Sequence, residues 1–199
     1  MRSPLRLRRF APTRSPERTR TRRSLRERGA STVEFALVSP LFFLILFGGI
    51  ELGLMFRGNL SVEDMTRNAA RVASIVRDDP EADRFILREI NNRTRSLNGE
   101  IVNVVIFSGT TLDAEMPAGC ISAAGDPVDI SNVCNSYSAA DVEAIAGGAG
   151  TLGSALTAAE REQWDIIGIT VFYRQDSITG VIDGVTLSST TVEVIELDL

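Results

Sequence analysis

The 199 residues contain no histidine and no lysine, and only two cysteines, two tyrosines and one tryptophan. Without histidine neither a Ser-His-Asp nor a Cys-His site can be assembled, and the usual zinc hydrolase ligand sets are out of reach. Cys120 and Cys134 have no C-x-x-C spacing, which argues against a metal site. The glycine-rich run GGAGTLGS, residues 147–154, lacks the Lys-Ser/Thr pair that a phosphate-binding loop needs, so it reads as a flexible loop. Paired carboxylates could act on a glycoside in principle, but in so acidic a chain accidental pairs are common. No enzyme and no cofactor are expected.

Charge is divided unevenly along the chain. Residues 1–29 hold 11 arginines against Glu17 and Glu27, a balance of +9, and residues 30–199 hold 10 arginines against 24 acids, a balance of −14, in agreement with the net charge of −5. An arginine block directly before an apolar run is retained on the cytoplasmic side, which puts the C-terminal part outside. With only Phe10 interleaved among the arginines, nucleic acid is not expected as a partner. Residues 1–28, with Pro4, Pro12 and Pro16, are expected to be disordered. The segment Thr21-Arg22-Arg23-Ser24-Leu25-Arg26 looks like a twin-arginine export signal, but arginine pairs arise by chance in such a leader and no cleavage site follows.

Residues 29–56, GASTVEFALVSPLFFLILFGGIELGLMF, are almost free of charge, with Glu34 near the start and Glu51 near the end. Residues 36–56, about 21 residues at roughly 1.5 Å each, cover about 31 Å as helix, enough to span a bilayer's hydrocarbon core. An ordinary secretory signal is cut behind its apolar region after small residues. Here the glycine, Gly29, comes before it, Glu34 is the fifth residue after that glycine and Phe35 the sixth. Ser31-x-x-Glu34 also fits a capping box at a helix start.

This order resembles the processing site of type IV prepilin-like proteins. With Pro40, the stretch Phe47-Gly48 to Glu51 and the NAARVAS of residues 68–74, it resembles the TadE-like family of pilus-assembly proteins of the tight-adherence secretion system. The resemblance spans residues 29–74. It implies cleavage between Gly29 and Ala30 by a prepilin peptidase, with the apolar helix left on the mature chain. Glu34 would then meet the free amine of a neighbouring subunit. The function so implied is that of a minor pilin-like (pseudopilin), single-pass membrane component, acting through contacts with other pilus-assembly subunits and pilin and taking no small-molecule substrate. The different-class alternative is an anchored extracytoplasmic hydrolase or ligand-binding domain. The long basic leader and the loop with two cysteines depart from the family pattern.

Inside the apolar run, Pro40 is placed to kink the helix, and Gly49 and Gly53 share a face that serves either for close helix contact or for nothing. Glu51 is a costly residue within a membrane helix. It either snorkels to the outer interface or meets a partner. Beyond Arg57 the pattern becomes amphipathic, with Met65, Ala69, Val72, Ala73 and Val76 on one face and Glu63 spaced to pair with Arg67. The alanine face, with Ala70, suits packing on another helix or, as is expected here, on the chain's own sheet. Asp79-Pro80 reads as the start of a second helix that carries Phe85, Ile86 and Ile90 to about Leu97.

Strands are expected over residues 101–107, 166–173 and 190–197, the second with Ile167, Ile169, Val171 and Tyr173 on one side. The alternation of the third slips between Val194 and Ile195, as a bulge or two-sided burial would make it. Residues 177–188 are too long for a tight hairpin and read as a short helix or an apolar loop. A short helix is expected at residues 139–146, and a disulfide between Cys120 and Cys134 closing a loop of about 15 residues. The fold class is α+β. A leader (1–29) precedes a transmembrane helix (30–56), amphipathic helices (57–98) and an extracytoplasmic domain with a small antiparallel sheet (99–199).

Overall fold

The computed structural model describes residues 23–76, 79–153, 161, 164–177, 180 and 184–195, with side chains from residue 29 onward. Two compact units divide the chain, Met1–Ile45 and Leu46–Leu199. Helix α1, Arg23–Ile75, contributes to both.

In the first unit α1 is already helical over residues 23–28, where disorder was expected, and residues 1–22 lie outside the described residues. Ser31 and Glu34 are therefore inside the helix rather than at its start, so no capping box forms there. Pro40 is also internal, which costs α1 the amide that would bond the carbonyl of Ala36. Every described side chain of residues 29–45 is exposed except that of half-buried Ser39.

In the second unit the same helix turns amphipathic. Val62, Met65, Thr66, Ala69, Ala70 and Ala73 are buried at intervals of one, three and four. Thr66 spends its hydroxyl on the carbonyl of Val62 at 2.7 Å, so its burial leaves no free donor. The alanines belong to one core with Ile86, Leu87 and Ile90 and with the sheet, as the small-residue face implied.

Helix α2 covers Ala82–Thr94, two residues later and three residues shorter at its end than the sequence suggested. Asp79 acts ahead of the helix, its Oδ1 accepting from the Glu81 amide at 2.7 Å, while Glu81 at the N-cap makes no side-chain cap. Phe85 is on the open side of α2, and the buried stripe is Ala82, Asp83, Ile86, Leu87 and Ile90.

Four strands, β1 (Gly99–Ser108), β2 (Cys134–Ser138), β3 (Ile166–Gln175) and β4 (Val185–Val194), form one antiparallel sheet in the order β2-β1-β3-β4. The architecture is α+β, with the helices on one face. That face carries Val104, Ile106, Ile167, Ile169, Val171 and Tyr173. The other carries Val105, Phe107 and Phe172 and is covered by the loop that holds Cys120 and Cys134. A register shift in β1 between Ile101 and Asn103 lets Ile101 and Val104 serve the same core, which strict alternation forbids. Gly168 lies opposite Phe107, and a Cβ there would run into the Phe107 ring.

Strand β2 was not foreseen. The third expected strand begins five residues early and ends at Val194, and its pairing to β3 runs without a bulge. The slip at Ile195 marks the strand's end, where the Ile195 amide donates to Asp165 O at 2.8 Å and the side chain enters the core. Strand β4 therefore takes up residues 185–188 of the stretch read as helix or loop; 178, 179 and 181–183 lie outside the described residues. Helix α3, Ala139–Ala146, starts where expected, with Ser138 and Asp141 forming a reciprocal capping box.

Candidate functional site

An apolar helical surface without cover is the first feature of the chain that demands an environment other than water. Leu37 is 76 % exposed and Leu44 70 %, and Phe35, Leu41 and Ile45 are each more than half exposed. Burying one such side chain is worth about 1.5–3 kcal/mol, so a run of them in water is heavily unfavourable. The helical segment from Gly29 has a mean hydropathy of 2.2 in its apolar window, none of it buried, which fits a single-pass membrane anchor.

Gly29 and Ala30 are exposed in this helix, as are Glu34 and Phe35. Glu34 is one turn past Ala30, so a carboxylate and the amine that cleavage would create lie on neighbouring turns. Pro40 is exposed in the same segment.

Past residue 45 the helix carries two stripes. One runs through Glu51, Gly58, Val62, Met65 and Ala69, all buried. Glu51 is only 5 % exposed and accepts a hydrogen bond from the Ser177 hydroxyl, which itself accepts from the Gly180 amide at 3.1 Å. Within the chain, the connection after β3 meets this carboxylate. Gly58 lies one heptad on, where a Cβ would overlap the Gln175 side chain. The other stripe, Gly49, Gly53, Phe56 and Leu60, is open, with nothing within 4 Å of a Cβ built at either glycine. Phe56 is 73 % exposed.

The Cys120–Cys134 disulfide is present, with a Cα–Cα distance of 6.3 Å, and pins the loop after β1 to the start of β2. Its sulfurs are buried with Val105 and Phe107, so the bridge is also part of the second core.

One polar constellation was missed. Asp83 of α2 is buried and takes Arg161 on Oδ1, and the hydroxyl of Tyr137 and Nδ2 of Asn135 (2.7 Å) on Oδ2. The Gly153 amide donates to the Tyr137 hydroxyl at 3.0 Å, and Leu152 packs on the core, so the end of the glycine-rich loop is anchored rather than flexible. Burial, and then the Asp83 charge, hold the Tyr137 hydroxyl far above its ordinary pKa. The signal in the sequence was a carboxylate on an apolar stripe, with Asp83 three, four and seven residues before Ile86, Leu87 and Ile90. With Asp83, Asn135, Tyr137 and Arg161 all buried, the group ties α2, β2 and the end of the 147–153 loop together.

An α+β domain on a chain whose N-terminal helix is bare and apolar in its first half fits a single-pass membrane-anchored protein. Residues 29–71 match the model of a family described as TadE-like protein, so this segment is TadE-like, as the motif around Gly29, Glu34 and Phe35 implied. The match ends before α2 and supports a component related to pilus assembly. No curated protein and no solved structure matches the chain.

Proposed function

We propose that the protein is a minor pilin-like, single-pass membrane component of a tight-adherence type pilus-assembly or secretion system. A prepilin peptidase removes the leader between Gly29 and Ala30, the arginine block stays on the cytoplasmic side and the sheet domain lies outside. The reading is supported by one observation: the first half of the TadE-like segment, residues 29–50, is an apolar surface that the described residues of the protein leave uncovered. Contacts with pilin and other subunits then form along Gly49 and Gly53, with Glu34 and Phe35 setting the register. A carboxylate in an apolar setting needs a positive partner, and a freed amine on a neighbouring subunit supplies it.

Intact-mass measurement of the protein from its native membrane tests the processing step, and a chain beginning at Ala30 is expected. Glu34→Gln tests the assembly step, because it keeps the shape and removes the charge. The variant should be cleaved and inserted yet fail to co-purify with pilus subunits. Recovery of those subunits at wild-type levels would refute the role given to Glu34.

A further inference from the structure

Where the open stripe of α1 meets the end of α2, two hollows share Arg57, Ser96 and Leu97. The larger is an open groove of about 510 Å³ floored by Gly53, Phe56 and Leu60. The smaller is a cavity of about 90 Å³ beneath Leu54 and Gly58, closed by Asn98, Tyr173 and Gln175. Two buried polar atoms of residues lining that cavity, the Tyr173 hydroxyl and Gln175 Oε1, lack hydrogen-bond partners among the described residues. Tyr173 is 1 % exposed and Gln175 7 %. Buried polar atoms are rarely left unpaired, since each costs about as much as a lost hydrogen bond. At its mouth Arg57 makes no ion pair or hydrogen bond among the described residues, whereas Arg93 beside it is held by Asp64 at 3.0 Å and Glu89 at 2.5 Å. Among the described residues Arg57 is therefore the arginine of this groove without a partner, and it stands one residue beyond the end of the apolar run, where an anchor spanning residues 36–56 would meet the phosphates of a bilayer.

We propose that this joint seats a phospholipid headgroup of the ethanolamine type. Its phosphate pairs with Arg57 and its ammonium enters the small cavity to donate to Gln175 Oε1 and the Tyr173 oxygen, while its acyl chains follow the exposed Gly53 and Phe56 flank. A choline head has no N–H to donate and cannot satisfy these acceptors. The cavity would hold about three waters at roughly 30 Å³ each, and water is the rival occupant. The inference needs only the membrane anchor and is separate from the assembly role, because it is read on the isolated protein.

The full chain is reconstituted in nanodiscs of phosphatidylcholine alone, or with added phosphatidylethanolamine or phosphatidylglycerol. Retained lipid is counted by native mass spectrometry, and Tm is followed in each. Wild type should keep the ethanolamine lipid about tenfold over the choline lipid, the factor expected for hydrogen bonds to a charged group. Tyr173→Phe and Arg57→Gln should each lose that preference and the accompanying rise in Tm. In phosphatidylcholine alone Tyr173→Phe should melt no lower than wild type, since it removes an unpaired hydroxyl. Equal retention of choline and ethanolamine lipids overturns the proposal, as does a Tyr173→Phe variant with wild-type preference, which leaves water in the cavity. Equal retention of the glycerol lipid overturns the ammonium assignment. Free phosphorylethanolamine raising Tm as much as the lipid does would make the source soluble and overturn the lipid.

Discussion

Replacing Asp83 with alanine removes the acceptor that organises the buried polar group. Arg161, 3 % exposed, keeps its charge and loses its ion pair, while its Nε and Nη1 already lack partners among the described residues. Breaking a buried pair by deleting one member costs about 3–5 kcal/mol, because a bare charge stays behind. Tyr137 and Asn135 soften the loss, since each retains a contact with Gly153. At about 2–4 °C per kcal/mol for a domain of this size, Tm should fall by about 6–20 °C. Thermal melting of the full chain in detergent measures this, and amide exchange should show protection lost first in α2 and β2. The double variant Asp83→Leu with Arg161→Met removes both charges and should recover most of the loss. A single variant melting within about 2 °C of wild type would refute the claim that this group holds α2 to the sheet.

Both tyrosines should resist ionisation while the protein is folded. Burial, with help from Asp176, pushes Tyr173 up to about 12 from an ordinary 10.0, and Tyr137 moves in the same direction. Below pH 10 both states are protonated and the stabilisation is fully present; between 10 and 12 only the unfolded chain loses the proton, so stability falls as pH rises. Near-UV titration should therefore show tyrosinate appearing together with unfolding, and separate appearance at pH 10 would refute it. Reduction of Cys120–Cys134 should cost about 3 kcal/mol, and alkylation should label both thiols only after reduction. Gly58→Val should destabilise by about 1–3 kcal/mol by driving a side chain into Gln175. Gly53→Ala, with open space around it, should leave stability unchanged or raise it by up to about 1 kcal/mol through helix propensity.

Those features that repeat locally were legible in the sequence. The apolar run, the amphipathic turn of α1 and the alternation of β3 each write a period into consecutive residues, and the short helix α3 stood out from the loop around it. Strand β2, CNSYS, has no such period. All of Cys134, Asn135, Ser136 and Tyr137 are buried, because one face meets the helices and the other the disulfide loop. Its Asn135 is paid for by Asp83, 52 residues away, and its Ser136 amide by Asp129. A polar strand in a core depends on partners far along the chain, and no local pattern records them. The early start of β4 was obscured for the opposite reason, as an edge strand of serines and threonines carries little apolar signal.

Glu51 shows how the site itself was half legible. Read within its own segment, a carboxylate five residues before Phe56 is a membrane problem with two solutions, water or a partner. Read along the helix, it heads the stripe that continues through Gly58, Val62 and Met65, seven, eleven and fourteen residues on, all of which face the domain. Ser177 supplies the hydrogen bond and Gln175 the close contact at Gly58, and both stand near the end of β3. The protein thus begins to cover α1 before the apolar run is over. On that flank the chain's own residues meet the helix at Glu51, whereas on the opposite flank Gly53, Phe56 and Leu60 remain bare among the described residues. A helix with one flank covered and the other open cannot be ringed by lipid uniformly at that level.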